Sequence, residues 1–232
     1  MGENASLNLS ATADLIAMGG PVMLVLAAMS VLGLAIILLK LWQFSVSGIW
    51  RRGGVEEALQ NWQDGRQGDA QARLEGHDHP VAEAVRVAMA GLRAGAEEHR
   101  VREEAARVAA SRLAALRNYF RPLEVIGSLS PLLGLLGTVL GMIEAFQAME
   151  SAGSQVDAAL LSGGIWEALL TTAAGLTVAI PAVAALNWLE RGVERLHEDM
   201  QDALTRVFTG AAGATPAAAG GENAETTAAH AH

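Results

Sequence analysis

The chain has 232 residues, 51% of them hydrophobic and 18% charged, with no cysteine and a formal net charge of -9. Soluble chains carry about a quarter charged residues, so this composition argues against an ordinary soluble protein. The acidic balance argues against a nucleic-acid surface, and the lack of cysteine excludes disulfides and thiolate chemistry.

Residues 1–14 precede a run from Leu15 to Leu39 without a formal charge, bounded by Asp14 and Lys40. Such a run reads as a membrane-spanning helix over 15–41. The first basic residue is Lys40, so the basic leader of a signal peptide is missing. Residues 42–121 read as a helical domain outside the membrane. Within it Val55–Trp62 and Pro80–Arg121 are rich in helix formers, and Asp64–Pro80 reads as turns around a short helix at best. Val81, Val85, Ala88, Met89 and Leu92 repeat at helical spacing. Only Pro122 stands between this stretch and a second span, and a proline is accommodated there at a helix start or as a kink.

That second span covers 122–147 around the apolar run Val125–Ile143. After a loop at 148–163, a third covers 164–189 around Ala168–Leu189. Both runs contain Gly and Pro, which membrane helices tolerate when packed against neighbours. Residues 190–208 read as a helical extension of the third span, and 209–232 as an Ala, Gly and Thr-rich disordered tail. The expected fold class is all-α, an integral membrane protein with three transmembrane helices and long cytoplasmic helical extensions.

All sixteen basic residues lie in Lys40–Arg121 or Arg191–Arg206. By the positive-inside rule 42–121 and the C-terminus are cytoplasmic, and the N-terminus and the 148–163 loop face outward. Trp42, Phe120, Phe146, Trp166 and Trp188 mark span ends as an interfacial belt would.

The second span carries Gly134, Gly137 and Gly141 at spacings of three and four, a smooth surface for a close neighbour. Thr138 follows Gly134 by one turn, and Pro131 leaves a carbonyl partly unpartnered. On the third span Ala168, Thr172, Gly175 and Ala179 form a small-residue face, with Thr171 beside it. For any single Thr here, simple packing is the more frequent role. Glu144 and Glu167 are less easily dismissed, because a carboxylate at membrane depth is costly unless neutral, paired or hydrated. Both fall near outer ends, where headgroups can solvate them.

No deeply placed basic residue or mid-membrane Asp accompanies these groups, so a proton route needs a carboxylate from a partner. GxxxxGK and HExxH are both absent. His77-Asp78-His79 lacks a third ligand at metal spacing. No enzyme activity, metal or cofactor is expected.

SPLLGLLGTVLGMIEAF, followed by GGIWEALLTTAAGLTVAIPAVAALNWLE, resembles the proton-channel family of ExbB, TolQ and MotA. The resemblance is strongest over 125–190 and closest to the ExbB and TolQ branch, since MotA-like proteins have four spans. It implies a homopentamer in the inner membrane, surrounded by lipid, enclosing two single-span ExbD- or TolR-like subunits. Proton-motive force would turn the inner pair and work on a TonB- or TolA-like protein; H+ is the expected ion, Na+ the alternative. Thr138 falls on the GTVxG threonine of the family, Thr172 on the threonine after EAL, and Glu167 on the EAL glutamate. Pro181 and Asn187 match the AIPA…N ending. The proton-carrying aspartate belongs to the partner in this family. Thr171, beside the expected threonine, and Glu144, in place of a neutral polar residue, depart from the pattern.

The implied function is a motor subunit energising outer-membrane transport. A TolQ-like envelope-maintenance subunit is the near alternative; a flagellar or gliding stator and a passive membrane scaffold are the more distant ones.

Overall fold

A computed structural model describes residues 20–46, 54–76, 79–152 and 158–213, and every regular element among them is an α-helix. They are α1 (Gly20–Val46), α2 (Val55–Gln63), α3 (Gln67–Leu74), α4 (Pro80–Arg93), α5 (Glu98–Arg117), α6 (Phe120–Ala152) and α7 (Ala158–Gly213). By length and composition three helical stretches suffice to cross a membrane: Gly20–Val46, Glu98–Ser151 and Leu161–Gly210. The protein is therefore an all-α, multi-pass membrane protein. The expected first residues of the first span, the pair His77-Asp78 and the tail beyond residue 213 lie outside the described residues.

The chain divides into two compact units. The first comprises residues 1–46 and 114–194. In it α1 packs on α6 and α7, with Val22, Met23 and Leu26 buried against Leu133, Leu170 and Ala174. Lower on the same helices the Phe44 and Trp188 rings meet at 6.4 Å between centroids. Much of this unit's apolar surface faces outward, including Leu32, Leu38, Leu132, Leu135, Leu169 and Ile180, all more than half exposed. Apolar side chains in that position suit lipid or a neighbouring helix rather than water.

The second unit comprises residues 47–113 and 195–232. Its core gathers Leu59, Trp62, Leu74, Val85 and Met89 with Leu196, Met200 and Val207. Trp62 is buried, and its indole N–H donates to the Val207 carbonyl at 3.0 Å. Arg206 grips Glu56 through both guanidinium nitrogens, at 2.9 and 2.8 Å, which holds Arg206 above its ordinary pKa.

Helix ends account for the main departures from the sequence reading. Pro80–Arg121, expected as one helical stretch before Pro122, is broken twice. At the first break Gly95 takes φ 70°, while the Gly95 and Ala96 N–H groups return to the Leu92 and Gly91 carbonyls. That is a glycine-terminated cap, and Gly65 ends α2 in the same way. The second break falls at Asn118–Tyr119, where Tyr119 takes φ 68°. Pro122 sits at a helix start, one of the two arrangements expected for it: it is the third residue of α6, where the backbone N–H would lack an intrahelical acceptor anyway. Helix also occupies 148–152 and 158–163 of the segment read as an outer loop, and continues through Gly213 into the expected tail. Alanine, leucine, methionine and glutamate there favour helix.

Candidate functional site

The small residues identified on the second and third spans meet along one seam. Gly134 and Gly175 face each other so closely that a Cβ on Gly175 would lie 2.5 Å from the Ser130 carbonyl oxygen and 3.1 Å from the Gly134 Cα. A Cβ on Gly134 would lie 3.0 Å from the Thr172 Cα, and one on Gly141 3.2 Å from the Ala168 Cβ. Backbone therefore packs against backbone, the geometry small residues permit in a membrane.

Polar groups are concentrated where the helices touch. Ser130 is fully buried and donates to the Ile126 carbonyl at 2.6 Å. Thr171 is 2% exposed; its Oγ1 lies 2.7 Å from the Ala168 carbonyl oxygen and 3.3 Å from that of Gly134. Its side chain also fills the space opposite Gly137, where a Cβ would come within 2.5 Å of Oγ1. Thr172 is half-buried and donates across the seam to the same Gly134 carbonyl at 3.2 Å. One carbonyl thus faces two threonine hydroxyls from the opposite helix.

The remaining sequence-selected residues sit elsewhere. Thr138 is half-buried and returns its hydroxyl to the Leu135 carbonyl at 2.7 Å. Glu167 is half-buried; it precedes Leu170 by three residues and Ala174 by seven, placing it on the α7 stripe that packs toward α1. Thr172, five residues on, lies on a different side of the helix. Glu144 is exposed and follows Leu133 by eleven residues, on the α1-facing stripe of α6. The structure therefore brings Thr171 and Thr172 to one carbonyl, with Glu167 one turn before Thr171 on α7. Pro131 and Pro181 lie inside α6 and α7, and the exposed Asn187 amide donates to the Val183 carbonyl at 2.8 Å. Among the described residues no group of three His, Asp or Glu side chains is placed to hold a metal ion.

Sequence reasoning missed Lys40. This side chain is 1% exposed, yet its ammonium has partners on every side: it donates to Gln43 Oε1 at 2.8 Å and to the Leu116 carbonyl at 2.9 Å. It also lies over the Tyr119 and Phe120 rings, 5.7 and 5.5 Å from their centroids. Lys40 thus caps the end of α5 and braces the left-handed turn at Tyr119. The available signal was composition: the other fifteen basic residues are all arginine.

This architecture defines a class: a multi-pass helical membrane protein whose second and third spans pack through a glycine and threonine seam. Residues 77–202 match the family described as the MotA/TolQ/ExbB proton channel family. A putative biopolymer transport protein, ExbB-like 3, of Synechocystis is 32% identical over 171 residues, covering 73% of this chain and 80% of that protein. The chain belongs to the MotA/TolQ/ExbB proton channel family, and within it to the ExbB and TolQ branch. Biopolymer transport protein exbB1 of Vibrio cholerae is 42% identical over 87 residues, and Tol-Pal system protein TolQ of Haemophilus influenzae 42% over 85. Those two alignments span 38% and 37% of the respective relatives, well short of their full lengths.

Proposed function

We propose that this chain is an inner-membrane motor subunit that converts proton-motive force into mechanical work. It would assemble as a homopentamer, with its N-terminus in the periplasm and its C-terminus in the cytoplasm. In this arrangement α6 and α7 line a central pore occupied by two single-span, ExbD- or TolR-like partner helices. The observation that carries the reading is the α6–α7 seam, where backbone contact is close and a threonine hydroxyl stands at its edge. Thr138 and Thr172 are both half-buried, and neither has a basic side chain among its hydrogen-bond partners. Such hydroxyls accept from and donate to water, so they suit a hydrated path beside a partner's carboxylate.

The partner's aspartate carries the proton in this mechanism, and Thr138 and Thr172 exchange hydrogen bonds with it as it passes. Gly134, Gly137, Gly141 and Gly175 keep the pore wall thin and rigid. Glu167 and Glu144, on the α1-facing side, bias the local field or meet a neighbouring subunit rather than take the proton themselves. Work is delivered to a TonB- or TolA-like protein that crosses the periplasm. Similarity to proteins named for biopolymer transport favours energised outer-membrane transport. The TolQ relative keeps envelope maintenance as the second reading, and the partner encoded beside this chain's gene separates the two.

The test is copurification with the adjacent gene's product, ring stoichiometry by imaging, and proton flux into liposomes followed by a pH-sensitive dye. The wild-type assembly should conduct under a proton gradient. The double variant Thr138→Ala, Thr172→Ala should assemble but lose flux; full flux in that assembled variant overturns the pathway. Replacing the proton gradient with a sodium gradient distinguishes H+ from Na+.

A further inference from the structure

The shared Gly134 carbonyl gives the doubled threonine a task beyond packing. We infer that Thr171 is a standby donor: it takes over the Gly134 carbonyl when Thr172 turns its hydroxyl toward the ion path. The inference rests on the proposed place of Thr172 in that path.

The geometry supports a hand-off without movement of heavy atoms. Thr171 Oγ1 has one hydrogen and two acceptors within reach, Ala168 O at 2.7 Å and Gly134 O at 3.3 Å. Thr172 Oγ1 reaches Gly134 O at 3.2 Å. Hydroxyl-to-carbonyl bonds normally close to about 2.7–2.8 Å, so the cross-seam bond of Thr172 is a long one that is readily released. In the resting arrangement Thr171 donates to Ala168 and Thr172 to Gly134. When a passing carboxylate or water claims the Thr172 hydrogen, rotation about the Thr171 Cβ–Oγ1 bond swings that hydrogen onto Gly134. The Gly134 carbonyl, which also accepts within its own helix, thereby keeps a second donor from across the seam. Ala168 meanwhile loses a hydrogen bond additional to its backbone pairing within α7.

Burial makes Thr171 suited to this and to nothing on the path itself. At 2% exposure it does not meet the ion, and its side chain is wedged against Gly137. It is a positioning residue acting through Thr172.

Substitutions separate the hydroxyl from the shape. Thr171→Val keeps the volume and removes the donor; Thr171→Ser keeps the donor and removes the methyl group. In liposomes containing the copurified assembly, Thr171→Val should lower proton flux by about three- to tenfold, the range expected for one intramembrane hydrogen bond. Its ring assembly should be retained. Thr171→Ser should recover most of the flux, and its solvent deuterium isotope effect should match the wild type. If the valine variant fails to assemble, the Thr171→Ala and Thr171→Ser pair gives the same comparison, since the two differ only by the hydroxyl. Equal flux in the variants with and without the hydroxyl, while Thr172→Val abolishes flux, overturns the hand-off and leaves the proposed function standing. Unchanged flux in Thr172→Val overturns the pathway assignment and the hand-off with it.

Discussion

Gly175→Ala puts a single methyl group where the seam has no room. The added Cβ would stand 2.5 Å from the Ser130 carbonyl oxygen, 3.1 Å from the Gly134 Cα and 3.3 Å from its nitrogen. All three neighbours are backbone atoms of α6, so no rotamer change relieves the clash and the helices must separate. Overpacking of this kind costs about 1–3 kcal/mol. A separation of roughly half an ångström to an ångström also forfeits a quarter to a half of each dispersion contact. The 3.2 and 3.3 Å approaches of Thr172 and Thr171 to the Gly134 carbonyl would stretch beyond hydrogen-bonding range, at about 0.6 kcal/mol each. Alanine's better helix propensity returns about 1 kcal/mol. The net loss is about 1–3 kcal/mol, a fall in midpoint of roughly 3–10 °C for a chain of this size. Gly163→Ala is the internal control: a Cβ there has nothing within 4 Å, so the same substitution should be neutral or stabilising. Thermal unfolding of the detergent-purified protein, followed by circular dichroism, measures both. A Gly175→Ala midpoint equal to or above that of Gly163→Ala refutes the seam as a backbone contact.

Other outcomes follow from single contacts. Lys40→Met should lower stability by about 1–3 kcal/mol through loss of the bond to Leu116 and the ring contacts, as read by thermal unfolding. Because Lys40 is the chain's one lysine, its side chain should resist an amine-acylating reagent in the native protein and react on denaturation, by mass spectrometry. Trp62→Phe should cost about 1 kcal/mol by leaving the Val207 carbonyl without the indole donor, and unfolding curves of the two proteins measure the difference. The hydrogen bond from Arg107 holds the Glu104 carboxyl below its ordinary value, so its contribution to α5 is present at neutral pH. That contribution fades as pH falls through the lowered value. Arg107→Gln should move the Glu104 titration upward, as followed by NMR.

The three spans were legible because membrane burial is written locally: each run is long, apolar and free of basic residues, whatever it packs against. The glycine spacing on α6 likewise announced a smooth face, and the two threonines on α7 could be located by their motif. Helix ends were less legible. Gly95 lies in a run of good helix formers, where its left-handed cap competes with propensity, and the Tyr119 turn owes its support to Lys40, 79 residues earlier in the chain. No local pattern carries that information.

The candidate site divides the same way. Adjacent threonines at 171 and 172 look equivalent in a string of letters, and Glu167 is nearer to them in sequence than Gly134 is. Helical geometry separates the two threonines: Thr171 turns into the seam and Thr172 stands at its edge, while Glu167 lies one turn before Thr171. Sequence by itself determined the membrane class, the number of spans and the residue types available for hydrogen bonding. Tertiary structure decided which carbonyl those hydroxyls share and where a buried ammonium finds its partners. Hydropathy is a property of each segment, whereas a hydrogen bond across a seam exists only once two segments have been packed together.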